Sequence, residues 1–185
     1  MPAIGFGKTM RARKTLPSLK CKNYFSKEVF MQKIALQDQY APHSICFGCG
    51  PANTKGLKIK SFPEGNSTVA DWTPESHHEA FPGMLNGGII GSLLDCHSNW
   101  TAAWAIMNFT KQDAPPCTVT AEYSVQLMKP TPSGKPVHLK AIATEVSEKK
   151  AFIEAELWSD DELCARCKGL FIAVKPGHPA YHRWG

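Results

Sequence analysis

The stretch Asn86-Gly87-Gly88-Ile89-Ile90-Gly91-Ser92-Leu93-Leu94-Asp95-Cys96-His97, continuing to Met107, decides how this chain folds. Across residues 86–107 the apolar side chains Ile90, Leu93, Leu94, Trp100, Trp104 and Met107 recur at helical spacing. The spacing predicts one long helix that is apolar over most of its surface. Gly87, Gly88 and Gly91 occupy its first turns. Each glycine there costs ~1 kcal/mol relative to alanine. Close approach of another backbone or of a ligand would explain them, and so would simple packing.

Downstream of this helix the period changes from 3.6 to 2. Val119, Ala121, Tyr123, Val125 and Leu127 alternate with Thr118, Thr120, Glu122, Ser124 and Gln126, which puts Thr120 on the polar side of its strand. Further strands are expected over residues 137–146, 151–158 and 163–174, joined by short turns. Upstream, residues 57–62 and 67–72 flank Pro63-Glu64-Gly65-Asn66 and read as a hairpin. Residues 41–56 and 73–84 read as loops. A helix with Ser26 as its N-cap is expected over residues 24–37. Consecutive strands on short turns make an antiparallel meander. A lone apolar helix among about six strands must be covered by them. The expected fold is therefore α+β, an antiparallel sheet wrapped round one central helix. Residues 41–185 would form that domain, and residues 1–40 a basic extension.

The chain has 185 residues and a mass of 20.4 kDa, enough for one well-cored domain. At 43% hydrophobic and 20% charged it is neither disordered nor fibrous. The longest mostly apolar stretch, residues 87–94, falls far short of the ~20 residues of a membrane span. Residues 1–33 carry eight of the Lys and Arg residues against Glu28 alone, so the rest is slightly acidic although the net charge is +5. Nothing in the body suggests a nucleic-acid surface. The leader reads either as an organelle transit peptide, mitochondrial or plastid, or as a solvated tail of a cytoplasmic protein. Seven cysteines without a secretory signal point to reduced thiols. The sequons at Asn66 and Asn108 are discounted for the same reason.

Cys46-Phe47-Gly48-Cys49-Gly50, Gly56-Leu57-Lys58, Phe81-Pro82-Gly83-Met84-Leu85-Asn86-Gly87-Gly88 and Leu93-Leu94-Asp95 resemble the hotdog-fold thioesterases, most of all the PaaI-like branch. The resemblance covers residues 45–175 and leaves the leader aside. It implies an acyl-coenzyme A thioesterase, a homodimer or homotetramer, with its active site between two subunits and no metal or organic cofactor. It further implies that Asp95 is the general base or nucleophile and that Thr120 assists. The usual His of the family's His-Gly-Gly motif is Asn86 here, and the Asn often found six residues before it is Ala80. Phe81, Gly88 and Leu94 are the expected substrate-binding residues.

The residues support that chemistry on their own terms. Thioester hydrolysis needs charge stabilisation at the carbonyl oxygen and an activated water or a carboxylate nucleophile. A glycine-rich helix N-terminus offers backbone N–H groups and partial positive charge, so the Gly87 N–H is the candidate oxyanion donor. Asn86 can donate a hydrogen bond but cannot shuttle a proton. Asp95, between Leu94 and Cys96 on an apolar helix, needs partners or a task. His97 lies about 200° round the helix from Asp95, so the two should not form a dyad. Cys96 and His97 are expected to pack or to line a pocket. Lys129, Lys140, Lys149, Lys150, Arg166 and Lys168 are candidate contacts for the CoA phosphates.

Two other readings compete. Retaining the fold without the reaction would give a noncatalytic acyl-CoA binder, an alternative that the Asn86 and Ala80 departures leave open. Cys46-x-x-Cys49 with Cys164-x-x-Cys167 has the ligand count of a structural zinc site. Cys164 and Cys167, three apart in a strand, should point to opposite faces unless a bulge intervenes. The loop pair Cys46 and Cys49 is also a candidate redox disulfide.

Overall fold

A computed structural model of the chain describes residues 34–182 and 184, all within one compact unit, residues 33–185. The basic leader and residues 24–33 of the helix expected over residues 24–37 lie outside the described part. The first described helix is α1, Leu36–Tyr40. Leu36 and Ala41 belong to the core, and Gln37 hydrogen-bonds Ser61, so residues 34–40 belong to the domain rather than to the extension.

Two short strands follow, β1 (Phe62–Glu64) and β2 (Ser67–Trp72). The first arm of the expected hairpin is thus only three residues long. Leu57 and Ile59 are buried but donate their N–H groups to Phe47 and Gly48 of the preceding loop, outside the sheet. Next come β3 (Glu79–Phe81) and β4 (Met84–Leu85), a two-stranded ribbon within the segment expected to be loop. The central helix α2 spans Gly87–Thr110, with Asn86 as N-cap and Lys111 closing it in the left-handed conformation. Four long strands complete the fold: β5 (Thr118–Leu127), β6 (Val137–Val146), β7 (Lys150–Ser159) and β8 (Glu162–Ala173).

The main sheet is antiparallel, six strands in the order β1-β2-β6-β7-β8-β5, with α2 packed along its inner face. Val137, Leu139, Ala141, Ile153, Leu157 and Phe171 point inward against Leu93, Leu94, Trp100 and Ile106. Outward positions such as Lys140, Glu154 and Lys168 are exposed, as a half-buried sheet requires. The α+β arrangement expected from the sequence is the one observed. Among the described residues no helix is long and apolar enough to cross a membrane.

Three irregularities shift the pleat. In β5 the register skips Ala121, in β6 Thr144, and in β8 Cys164. Each extra residue turns the following side chains to the other face.

Candidate active site

Asn86 has extended backbone geometry, and its side-chain oxygen accepts the Gly88 N–H at 2.7 Å. This is N-capping, which satisfies one of the donors that a helix start leaves without an intrahelical partner. The Gly88 N–H is thereby occupied, while the Gly87 N–H remains in the first turn with no partner inside the helix. A Cβ at Gly87 would meet only Leu127 Cδ1, at 3.0 Å, and one at Gly91 only Tyr123 Oη, at 3.8 Å. The glycines therefore keep a lane open between the start of α2 and strand β5.

Along α2, Gly87, Gly91, Asp95 and Asn99 are spaced four apart and share the face towards β5. Asp95 is half-buried, and its Oδ1 accepts the Thr120 hydroxyl at 2.7 Å. The Asn99 amide donates to Thr120 Oγ1 at 3.4 Å and accepts the Thr118 hydroxyl at 2.8 Å. Asn99 thus orients the threonine that orients the carboxylate. Its signal in the sequence was its place four residues after Asp95, where a polar residue on a buried face needs a partner.

Thr120 faces the helix, contrary to the expectation that it lies on the polar side away from the core. The bulge at Ala121 is the reason. Thr118 and Thr120 point inward before it, and Tyr123, Val125 and Leu127 point inward after it. A strict alternation cannot place both sets on one face.

Two shallow grooves meet at Gly87. One, of about 390 Å³, is lined by Gly87, Gly88, Gly91, Tyr123, Val125 and Leu127. The other, of about 360 Å³, is apolar and includes Phe81, Met84, Leu85, Ile90, Leu127 and Met128, with Ala80 and Lys129 also on its walls. Both are of ligand size. Phe81, 62% exposed, and Gly88 are at the surface of these grooves as expected. Leu94 is not: it is fully buried beneath the sheet, because its position on α2 turns it inward, and it lines neither groove. A larger groove of about 580 Å³ lies on the outer sheet face among Asp71, His138, Glu156, Asp160 and Asp161.

Of the candidate phosphate contacts, Lys129 is at the groove mouth, paired with Glu162 at 2.9 Å, which holds its ammonium form above the usual range. Lys140, Arg166 and Lys168 are paired with Glu64, Glu156 and Glu154 on the outer sheet face. Lys149 and Lys150 border a separate depression beside Phe109.

His97 and Cys96 follow Asp95 but face elsewhere. His97 is fully buried, its Nδ1 at 2.9 Å from Ser61 Oγ and its Nε2 at 3.3 Å from Thr68 Oγ1. Burial lowers its pKa to about 4, so it is a neutral structural residue and not a partner of Asp95. Cys96 Sγ stands 3.8 Å from Cys46 Sγ. Cys49 hydrogen-bonds Cys46 and is pushed up to about 12, while the thiols of Cys49 and Cys96 draw Cys46 below its ordinary value. Cys164 and Cys167 are both buried because Cys164 is the bulge residue, and they lie outside this cluster.

The model of the thioesterase superfamily matches residues 82–165. A thioesterase superfamily protein from Shewanella loihica PV-4, solved as a crystal structure, is 31% identical, with a TM-score of 0.56 over 68% of this chain and 98% of that one. The chain belongs to the thioesterase superfamily. The resemblance to hotdog-fold, PaaI-like proteins is borne out by fold: the PaaI protein of the E. coli phenylacetic acid degradation operon superposes with a TM-score of 0.57 at 14% identity, over 67% of this chain and 85% of that one. Zebra fish thioesterase superfamily member 2 does so with a TM-score of 0.54 at 18% identity, over 66% and 90%. No curated protein matches. Within this superfamily the chain carries Asn86 where the motif usually has His, and the structure gives that Asn a capping role.

Proposed function

We propose that this thioesterase-superfamily protein hydrolyses an acyl-coenzyme A thioester to a carboxylic acid and free CoA. The observation that carries the reading is the Asn99–Thr120–Asp95 chain of hydrogen bonds, on the same helix face as the open glycine terminus. Thr120 donates to Oδ1 and orients the carboxylate, which would take a proton from water or attack the carbonyl carbon. The Gly87 N–H, with the partial positive charge of the helix start, would hold the carbonyl oxygen as it becomes an oxyanion. Water attack forms the new C–O bond, the C–S bond breaks, and the sulfur leaves as CoA thiolate to be protonated. The apolar groove past Phe81 and Met128 suits the acyl group, and Lys129 at its mouth suits a phosphate.

Gly87 and Asp95 cannot serve one carbonyl within a single chain. They are eight residues apart on α2, about 12 Å along its axis. An oxyanion donor and a base acting on the same carbon must each lie about 3 Å from their target. The site is completed by a second copy that sets its Gly87 opposite this Asp95. Strand β5 is an edge strand of the sheet, with Tyr123, Leu127 and the following Met128 exposed beside the grooves, and offers the surface for that contact.

The test is release of free thiol from short, medium, long and aromatic acyl-CoAs by wild type and by Asp95→Asn. Turnover that collapses in the variant supports the reading, and the chain-length profile names the acyl class. A second reading, a binder without turnover, draws on Asn86, which caps the helix and carries no proton. Tight acyl-CoA binding with no thiol release for any acyl group would establish it and overturn hydrolysis.

A further inference from the structure

The loop of Cys46 and Cys49 is not used by the hydrolytic reading, yet it is built with care. Cys46, Cys49 and Cys96 bring their sulfurs within 4.8 Å of one another, and the Cys46 and Cys96 sulfurs are 3.8 Å apart. A tetrahedral ion with metal–sulfur bonds of about 2.3 Å holds its sulfurs roughly 3.8 Å apart. The loop around them is a tight knuckle. The Gly50 N–H bonds the Cys46 carbonyl at 2.9 Å. A Cβ at Gly48 would overlap Cys96 Sγ, and one at Gly50 would overlap the backbone of Ser44 and Cys46. Trp100 Nε1–H donates to Cys49 Sγ at 3.3 Å. From outside, Leu57 and Ile59 N–H groups pin the Phe47 and Gly48 carbonyls at 2.8 and 3.0 Å. Three soft donors are thus held in place by small residues and by hydrogen bonds that leave their sulfurs convergent.

We propose that Cys46, Cys49 and Cys96 form a three-thiolate site for a thiophilic d10 metal ion, zinc(II) or copper(I). Sulfur ligands without a carboxylate or imidazole in the cluster select soft ions over magnesium or calcium. Binding replaces the thiol protons with metal–sulfur bonds and involves no change of oxidation state. A zinc ion takes its fourth ligand from solvent on the side of Cys46, the half-exposed member of the loop pair. The ion staples the 46–50 loop to α2 at the residue after Asp95, and it takes no part in hydrolysis. The site differs from the one expected from the two CxxC pairs, since the third ligand comes from the helix and Cys164 and Cys167 stay outside.

The test uses the full chain, reduced and desalted under argon. It is offered zinc(II), cobalt(II) as a coloured stand-in, or copper(I), and is then alkylated with iodoacetamide and mapped by mass spectrometry. The expected result is one metal ion retained per chain. It should come with a thiolate-to-cobalt charge-transfer band and with protection of Cys46, Cys49 and Cys96 but not of Cys117. Cys96→Ser should lose the band, and Cys164→Ser should keep it. No retained metal with any of the three ions, or equal alkylation of these cysteines with and without metal, would overturn the proposal. So would a mapped Cys46–Cys49 disulfide in a protein that takes up no metal after reduction. The wild-type measurements stand even where a variant fails to fold, and none depends on thioesterase activity.

Discussion

The two sides of α2 carry polar residues for different ends. On the β5 side, Gly87 and Gly91 line an open groove, and further along the same face a half-buried Asp95 is held by the Thr120 hydroxyl, beside buried Asn99. On the β2 side, His97 and Thr101 join Ser61, Thr68 and Gln37 in a network closed to solvent. Both sides satisfy buried hydrogen-bonding groups, as they must. Only the first lies on the helix face whose glycine start opens on a groove. A polar residue on a buried helix therefore marks a candidate site when its face of the helix runs to an open groove, and a structural bond when its face is closed over.

Substitutions on each side should separate the two. The largest effect is expected from Asp95→Asn, which keeps the shape and removes the proposed base. It should lower kcat for acyl-CoA hydrolysis by about 10²–10⁴ and leave Tm nearly unchanged, as read by thiol release and thermal melting. On the other side, acid should unfold the protein through His97. Its folded pKa of about 4 lies below the ordinary 6.5, so the unfolded state binds the proton first. Stability from this residue is complete above pH 6.5 and falls as the pH drops towards 4, by about 3 kcal/mol in all. Urea melts at pH 7 and pH 4.5 should show the loss, and His97→Gln should reduce the difference between them.

Thr120→Val removes one hydrogen bond to a charged group, worth about 1.5–3 kcal/mol. It should reduce kcat roughly 10- to 100-fold, with the pH–rate profile displaced to higher pH as the carboxylate loses its donor. A rate change without that displacement would make Thr120 merely structural. The smallest effect is expected at Asn86→Ala, where loss of the cap costs about 1 kcal/mol of stability, read as a few degrees in Tm. Asn86→Ser should restore most of it, since serine also caps.

The helix over residues 86–107, the four long strands after it and the α+β class were legible because the periods of 3.6 and 2 are properties of residue order alone. Asp95 and Gly87 stood out for the same reason: an acid and glycines on an apolar helix break its pattern. Residues 57–61 read as strand because they are apolar in alternation, yet their backbone bonds go to the 47–48 loop, a choice made by a neighbour distant in sequence. The face of Thr120, the inward turn of both Cys164 and Cys167, and the meeting of Cys96 with the CxxC loop were likewise beyond the pattern. Two follow from single-residue bulges at Ala121 and Cys164, and the third from a contact across 50 residues. Local order in a chain determines which side chains share a face. Where one face slips by a residue, and which distant segment it then meets, is decided by packing.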